Sequence, residues 1–61
     1  MSYAEAKQIA LLRLDLRTCW DLGDRQGAAN ALAQMAQLSR AASDDDPELA
    51  RELRRWALKL A

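Results

Sequence analysis

The chain contains no valine and no phenylalanine, and it has a single isoleucine and a single tyrosine. β-Strands are built mainly from β-branched and aromatic residues, so this composition argues against a sheet. Alanine, leucine, arginine, glutamine and glutamate, which all favour helices, fill the stretches around two short breaks at residues 22–24 and 43–47. We therefore predict an all-α protein of three helices, with residues 1–61 forming a single small domain.

The first two predicted helices, at about 3–22 and 25–42, form an antiparallel αα-hairpin. Gly23 can adopt the left-handed backbone conformation that commonly follows a helix C-terminus. Asp24 can then accept hydrogen bonds from the free N–H groups at the start of helix 2. Because the connection is so short, the two helices must run in opposite directions.

The starts of the first and third helices carry local signals of their own. Ser2 and Glu5 have the spacing of a capping box, in which each side chain binds the free backbone N–H of the other residue. The third helix, at about 47–60, begins with Asp46 as its N-cap and Pro47 in its first turn, where the missing N–H of proline is harmless.

Apolar residues that recur at spacings of three and four predict how the helices pack. The hairpin buries one side of each helix, and helix 3 folds across it. The predicted core residues are Ile9, Leu12, Leu16, Met35, Leu38, Leu49, Leu53 and Trp56.

Three leucines of helix 1, Leu11, Leu14 and Leu22, project away from its main apolar side. A three-helix fold with short loops covers only part of helix 1, so these leucines predict a second packing partner. Helix 2 also has a seam of small and apolar residues that permits close approach of another helix. The seam consists of Ala28, Ala31, Met35, Leu38 and Ala42. A symmetric homodimer would bury both features at once.

Charge and hydropathy patterns exclude several classes of protein. Nine basic and nine acidic residues give a formal net charge of zero, so the chain as a whole is not an electrostatic binder of nucleic acid or membranes. No apolar run approaches the ~18 residues of a membrane span. Residues 1–5 lack a basic region followed by an apolar stretch, which predicts no secretory signal. Together with a single free cysteine, this predicts a cytoplasmic protein.

Catalytic and metal-binding chemistry lacks the residues that it needs. The chain has no histidine, and we interpret its one cysteine, Cys19, as a small hydrophobic residue on the apolar side of helix 1. The acidic run 44–46 lacks the spacing of a helix–loop–helix calcium site, and we interpret it as a solubilising loop that caps helix 3. We expect no enzyme activity, no cofactor and no metal site.

Helix 3 carries a basic face that consists of Arg51, Arg54, Arg55 and Lys59. These cations suit an acidic surface of another protein, and they also suit the phosphates of a nucleic acid. A helix that reads bases usually carries asparagine, glutamine or serine beside its arginines, and helix 3 has none. The sequence therefore favours protein binding over nucleic-acid binding.

Trp20 and Trp56 are large side chains for so small a core. Each can seal one end of the bundle within the chain, or one of them can anchor an interface, because tryptophan is a frequent hot-spot residue. Both alternatives stay open from the sequence. The candidate interface residues are therefore Leu11, Leu14, Leu22, Trp20 and Trp56.

The first turn and the second helix resemble part of a tetratricopeptide repeat, through Gly23, Asp24, Ala28 and Leu32. The chain lacks the glycine of that repeat near position 16 and its proline near position 40. Such repeats also stack on neighbouring repeats, and this chain contains no second one.

Residues 15–39 are also similar to the helical hairpin through which phage small terminase subunits oligomerise. The shared pattern is Gly-Asp-x-x-x-Ala-Ala-x-Ala-Leu-x-x-Met-Ala-x-Leu. It is formed here by Gly23, Asp24, Ala28, Ala29, Ala31, Leu32, Met35, Ala36 and Leu38. The resemblance implies a ring- or dimer-forming helical module from a phage or mobile element, and it does not imply packaging activity.

The sequence thus predicts a cytoplasmic, non-catalytic protein that works through protein–protein contacts or oligomerisation. Its role would be that of an adaptor, an inhibitor or a small assembly subunit, and we expect it to form a homodimer. The alternative is a small nucleic-acid-binding regulator that uses the basic face of helix 3.

Overall fold

The computed structural model describes residues 2–42 and 46–61, which form three α-helices and no strand. The helices are α1 (Tyr3–Asp21), α2 (Arg25–Ala41) and α3 (Pro47–Leu60). The all-α, three-helix prediction is therefore confirmed. The predicted ends of the first two helices each lie one residue too far along the chain, because that residue is the C-cap in both cases.

Local hydrogen bonds define the start of each helix. The Ser2 hydroxyl accepts from the Glu5 N–H at 3.2 Å, and the Glu5 carboxylate accepts from the Ser2 N–H at 3.3 Å, which confirms the capping box. Asp24 and Asp46 cap α2 and α3 in the predicted way, since each carboxylate accepts from the N–H of the third helical residue. The remainder of the acidic loop, 43–45, lies outside the described residues.

The turn between α1 and α2 is a Schellman motif. Gly23 has a φ of 78°, in the left-handed region. Its N–H donates to the Trp20 carbonyl at 3.1 Å, and the Asp24 N–H donates to the Cys19 carbonyl at 2.8 Å. These two bonds satisfy carbonyl groups that the end of α1 would otherwise leave free. The chain then reverses direction within three residues.

We expect Gly23→Val to lower the free energy of unfolding by more than about 1 kcal/mol, because a β-branched residue is strained at positive φ. Thermal unfolding followed by circular dichroism measures the change. Gly23→Asn is the matched control, since asparagine tolerates the left-handed region and should keep most of the stability. Wild-type stability in the valine variant would contradict the role of Gly23 in this turn.

The core lies between α1 and α2, and α3 packs across the hairpin mainly against α2. Every core residue predicted from the sequence either is buried or packs against the buried cluster, with Leu38, Leu53 and Trp56 half-buried. The fully buried set also includes two alanines that allow α2 to approach its neighbours closely. The buried residues are Ile9, Leu12, Leu16, Ala28, Ala31, Met35 and Leu49.

The seam of α2 is occupied within the chain. The first three of its five residues, Ala28, Ala31 and Met35, are each no more than 1% exposed, and the last two are half-buried. The expectation that a homodimer would bury this seam is therefore wrong, because the core of the same chain already covers it. An interface between two copies has to use another surface.

Candidate interaction surfaces

Three surplus leucines, two within α1 and one at its C-cap, are exposed on the side of the helix opposite the core. Leu11, Leu14 and Leu22 expose 53%, 65% and 78% of their surface, respectively. With 3.6 residues per turn, these positions point away from the buried residues of the same helix. A line of large apolar side chains on a soluble protein is typical of an interaction site.

Tyr3 extends the line of leucines towards the start of α1, and it is 83% exposed. From Tyr3 to Leu22, exposed residues follow at spacings of four, four, three, four and four, with Lys7 and Thr18 between the apolar positions. The Thr18 hydroxyl donates to the Leu14 carbonyl at 3.0 Å, so its hydrogen is already satisfied within the helix. We name this line the outer stripe. It consists of Tyr3, Lys7, Leu11, Leu14, Thr18 and Leu22.

Tyr3 was missed as an interface candidate in the sequence. Its spacing from Leu11 is two turns of helix, and continuing the pattern of exposed positions towards the N-terminus would have found it. Leu58, which is 78% exposed on α3, was missed as well. At helical spacing Leu58 lies among the arginines and outside the apolar side of α3, so its exposure could have been predicted from the sequence.

The two tryptophans pack against each other and join the ends of α1 and α3. Their ring centroids are 5.6 Å apart with an interplanar angle of 73°, an edge-to-face arrangement. The Lys59 ammonium lies 4.7 Å from the centroid of Trp56 and 5.9 Å from that of Trp20. Arg25 donates to the Lys59 carbonyl at 3.4 Å. The half-buried indoles therefore close one end of the bundle, and a role for them in an interface stays a prediction.

A bidentate ion pair connects α1 to α3. The Arg13 guanidinium donates to the two carboxylate oxygens of Glu52 at 2.6 and 2.8 Å. This hydrogen bonding raises the pKa of Arg13 above its already high ordinary value. The side chain of Glu52 is only 19% exposed. One of the two acidic residues of α3 is therefore half-buried and paired with a cation of α1, whereas the other, Glu48, is exposed in the first turn.

The predicted basic face of α3 is divided in the structure. Lys59 lies over the tryptophan pair, whereas Arg51, Arg54 and Arg55 are exposed on the outer side of the helix. With Glu52 bound to Arg13, the outer side of α3 carries mainly positive charge. The formal net charge of the whole chain is zero, so it does not indicate this local excess of positive charge.

An open groove lies between α2 and α3. Its volume is about 400 Å³. Small apolar side chains form most of its surface, and Arg54 lies at its edge. The lining residues are Ala29, Leu32, Ala33, Ala36, Leu53 and Ala57, together with this arginine.

Cys19 is half-buried beside the N-cap of α2. Burial raises the pKa of its thiol, and the negative charges of Asp15 and Asp24 raise the pKa further. The thiol therefore stays protonated at neutral pH, whereas a nucleophilic cysteine needs a lowered pKa. Within residues 2–42 and 46–61, no three histidine, cysteine or acidic side chains are placed to bind a metal ion.

None of the described helices combines the length and the apolar character that crossing a membrane requires. No protein-family model, no curated protein and no solved structure matches the chain. The similarity of residues 15–39 to the terminase hairpin therefore stays a resemblance.

Proposed function

We propose that this protein is a non-catalytic self-association module, in which the outer stripe of α1 pairs with α1 of a second copy. The observation that carries the proposal is the exposure of Leu11, Leu14 and Leu22 in one line on the side of α1 that the fold leaves uncovered. Transfer of a fully exposed leucine out of water contributes ~1.5–3 kcal/mol, so three on each chain supply a substantial driving force.

The spacing of the outer stripe supports a second copy as its partner. A two-fold interface is self-complementary. If residue i of one copy contacts residue j of the partner, then residue j of the first copy contacts residue i of the partner. The stripe has the same spacing when it is read from either end. If two α1 helices pair in an antiparallel way, a two-fold axis at the level of Leu12 and Arg13 places Leu11 opposite Leu14 of the second copy.

The same axis gives the other stripe residues compatible neighbours. Lys7 faces Thr18 of the second copy, and Tyr3 lies at the level of Leu22. Thr18 can enter such an interface without an unsatisfied donor, because its hydroxyl hydrogen is bound within its own helix. A parallel pair would instead bring Lys7 against Lys7, and the two like charges would repel. We therefore infer an antiparallel pair.

A small helical dimer of this kind suits an adaptor, an inhibitor or a small assembly subunit. The resemblance of residues 15–39 to an oligomerisation hairpin of phage proteins supports the same class of function. We also propose that the protein acts in the cytoplasm, since its free Cys19 suits a reducing compartment.

Charge substitutions at Thr18 test the proposed pairing. In the antiparallel pair, Thr18→Glu places two carboxylates opposite the two Lys7 ammonium groups, so the dimer dissociation constant should fall by roughly two- to thirtyfold. Thr18→Lys is the matched control and should weaken the dimer, because it places like charges together. Sedimentation velocity at several concentrations measures both constants.

The Thr18 outcomes separate the pairing geometry from self-association itself. If both variants weaken the dimer, the antiparallel arrangement is contradicted. In a parallel pair residue 18 faces residue 18 of the second copy, so either substitution places like charges together. A wild-type protein that stays monomeric throughout would contradict the proposed function.

A further inference from the structure

We propose that the groove between α2 and α3 binds an acidic amphipathic helix of another protein. The proposal rests on surfaces that the outer stripe does not include, since none of the stripe residues lines the groove. It therefore stands independently of the proposed self-association.

The shape of the groove fits a helix. Its α2 wall is formed by Ala29, Ala33 and Ala36, which lie along about two helical turns, or ~10 Å of helix length. Small side chains let the backbone of an incoming helix approach closely, while Leu32 and Leu53 provide larger apolar contacts. An amphipathic helix that lays its apolar side into a groove between two helices is a common mode of peptide recognition.

The charge around the groove selects an acidic partner. Arg54 lies at its α3 edge, and Arg40 follows Ala36 by four residues on α2, so it continues the line of the alanine wall. α2 contains no acidic residue between Arg25 and Ala41. On α3, Glu52 is bound to Arg13. The exposed Glu48 lies in the first turn, six residues before Arg54 and on another side of the helix. Glutamate or aspartate beside the apolar side of an incoming helix would meet these cations.

The same observations favour protein over nucleic acid as the occupant. A phosphate backbone would lie against an apolar surface that offers no hydrogen-bond donors apart from its basic rim. A second copy of α1 fits less well, since its outer stripe would bring Lys7 towards the arginines. An acidic helix satisfies both the apolar floor and the basic rim.

Two labelled peptides of three heptads each provide the probe. Both carry leucine and alanine on one side, with glutamate on the other side in the first peptide and lysine in the second. Fluorescence anisotropy should show saturable binding of the glutamate peptide and at least roughly tenfold weaker binding of the lysine peptide. Arg54→Glu should lower the affinity for the glutamate peptide by roughly tenfold. Ala33→Trp should prevent binding of this peptide, because the indole fills the groove.

Arg17→Glu is the matched control variant. Arg17 is an exposed arginine on α1, outside the groove, and its reversal should leave peptide binding unchanged. Circular dichroism of each variant checks that the fold is retained, which the exposure of Arg54 and Ala33 favours. Absence of glutamate-peptide binding, or equal binding of both peptides, would overturn the proposal. Binding of a labelled DNA duplex that Arg54→Glu abolishes, without peptide binding, would assign the surface to nucleic acid instead.

Discussion

Leu16→Ala is expected to remove a large part of the free energy of unfolding of the protein. The side chain of Leu16 is completely buried at the centre of the core. Truncation of a buried leucine to alanine lowers the free energy of unfolding by about 2–5 kcal/mol. A chain of this length has a total stability of roughly 3–9 kcal/mol, so this single change removes much of it. Urea unfolding followed by circular dichroism measures the loss.

Leu58→Ala is the matched control for that prediction. It makes the same chemical change at a leucine that is 78% exposed on α3, and we expect a change in stability within about 0.5 kcal/mol. Similar losses in the two variants would contradict the packing described for α1. A loss confined to Leu16 would support it.

Leu14→Glu is expected to separate the dimer while the monomer stays folded. Leu14 lies at the middle of the outer stripe and is 65% exposed in the single chain, so glutamate is tolerated there. In the antiparallel dimer the substitution places two carboxylates against the two Leu11 side chains. Loss of apolar burial at two symmetric positions should raise the dissociation constant roughly a hundredfold or more.

Leu58→Glu is the control for the loss of the dimer. It introduces the same charge at a leucine that is somewhat more exposed, at 78%, and that lies outside the outer stripe. Analytical ultracentrifugation should show a dimer for Leu58→Glu and a monomer for Leu14→Glu at the same concentration, with equal helicity by circular dichroism. Dimers of equal strength in both variants would place the interface on another surface.

The sequence predicts best those features that depend on neighbouring residues. The capping box of Ser2 and Glu5, the caps at Asp24 and Asp46 and the left-handed Gly23 each involve groups no more than a few positions apart. Their geometry follows from the helix itself, so the spacing alone is sufficient. The antiparallel hairpin follows in turn from the shortness of the Gly23 turn.

Contacts between distant residues could not be predicted in the same way. Arg13 binds a carboxylate 39 positions away, and Trp20 packs on Trp56 across the bundle. No local spacing indicates which of several arginines meets Glu52, because this depends on the angle at which α3 crosses the hairpin. The excess of positive charge on the outer side of α3 depends in part on that one pairing.

The seam of α2 illustrates a second limit. Alanine at positions such as Ala28 and Ala31 allows close approach of any helix, whether it belongs to the same chain or to another copy. The pattern therefore indicates that a helix packs there and leaves open which helix it is. In the structure the core of the same chain covers the seam, so the interface prediction rests on α1 alone.

Sedimentation equilibrium of the wild-type protein over a hundredfold range of concentration is the most direct test of self-association. The samples need a reducing agent, so that an intermolecular disulfide of Cys19 does not imitate a dimer. The outer-stripe proposal predicts an average mass that rises with concentration from 6.8 kDa towards twice that value. A mass of 6.8 kDa at every concentration would contradict it.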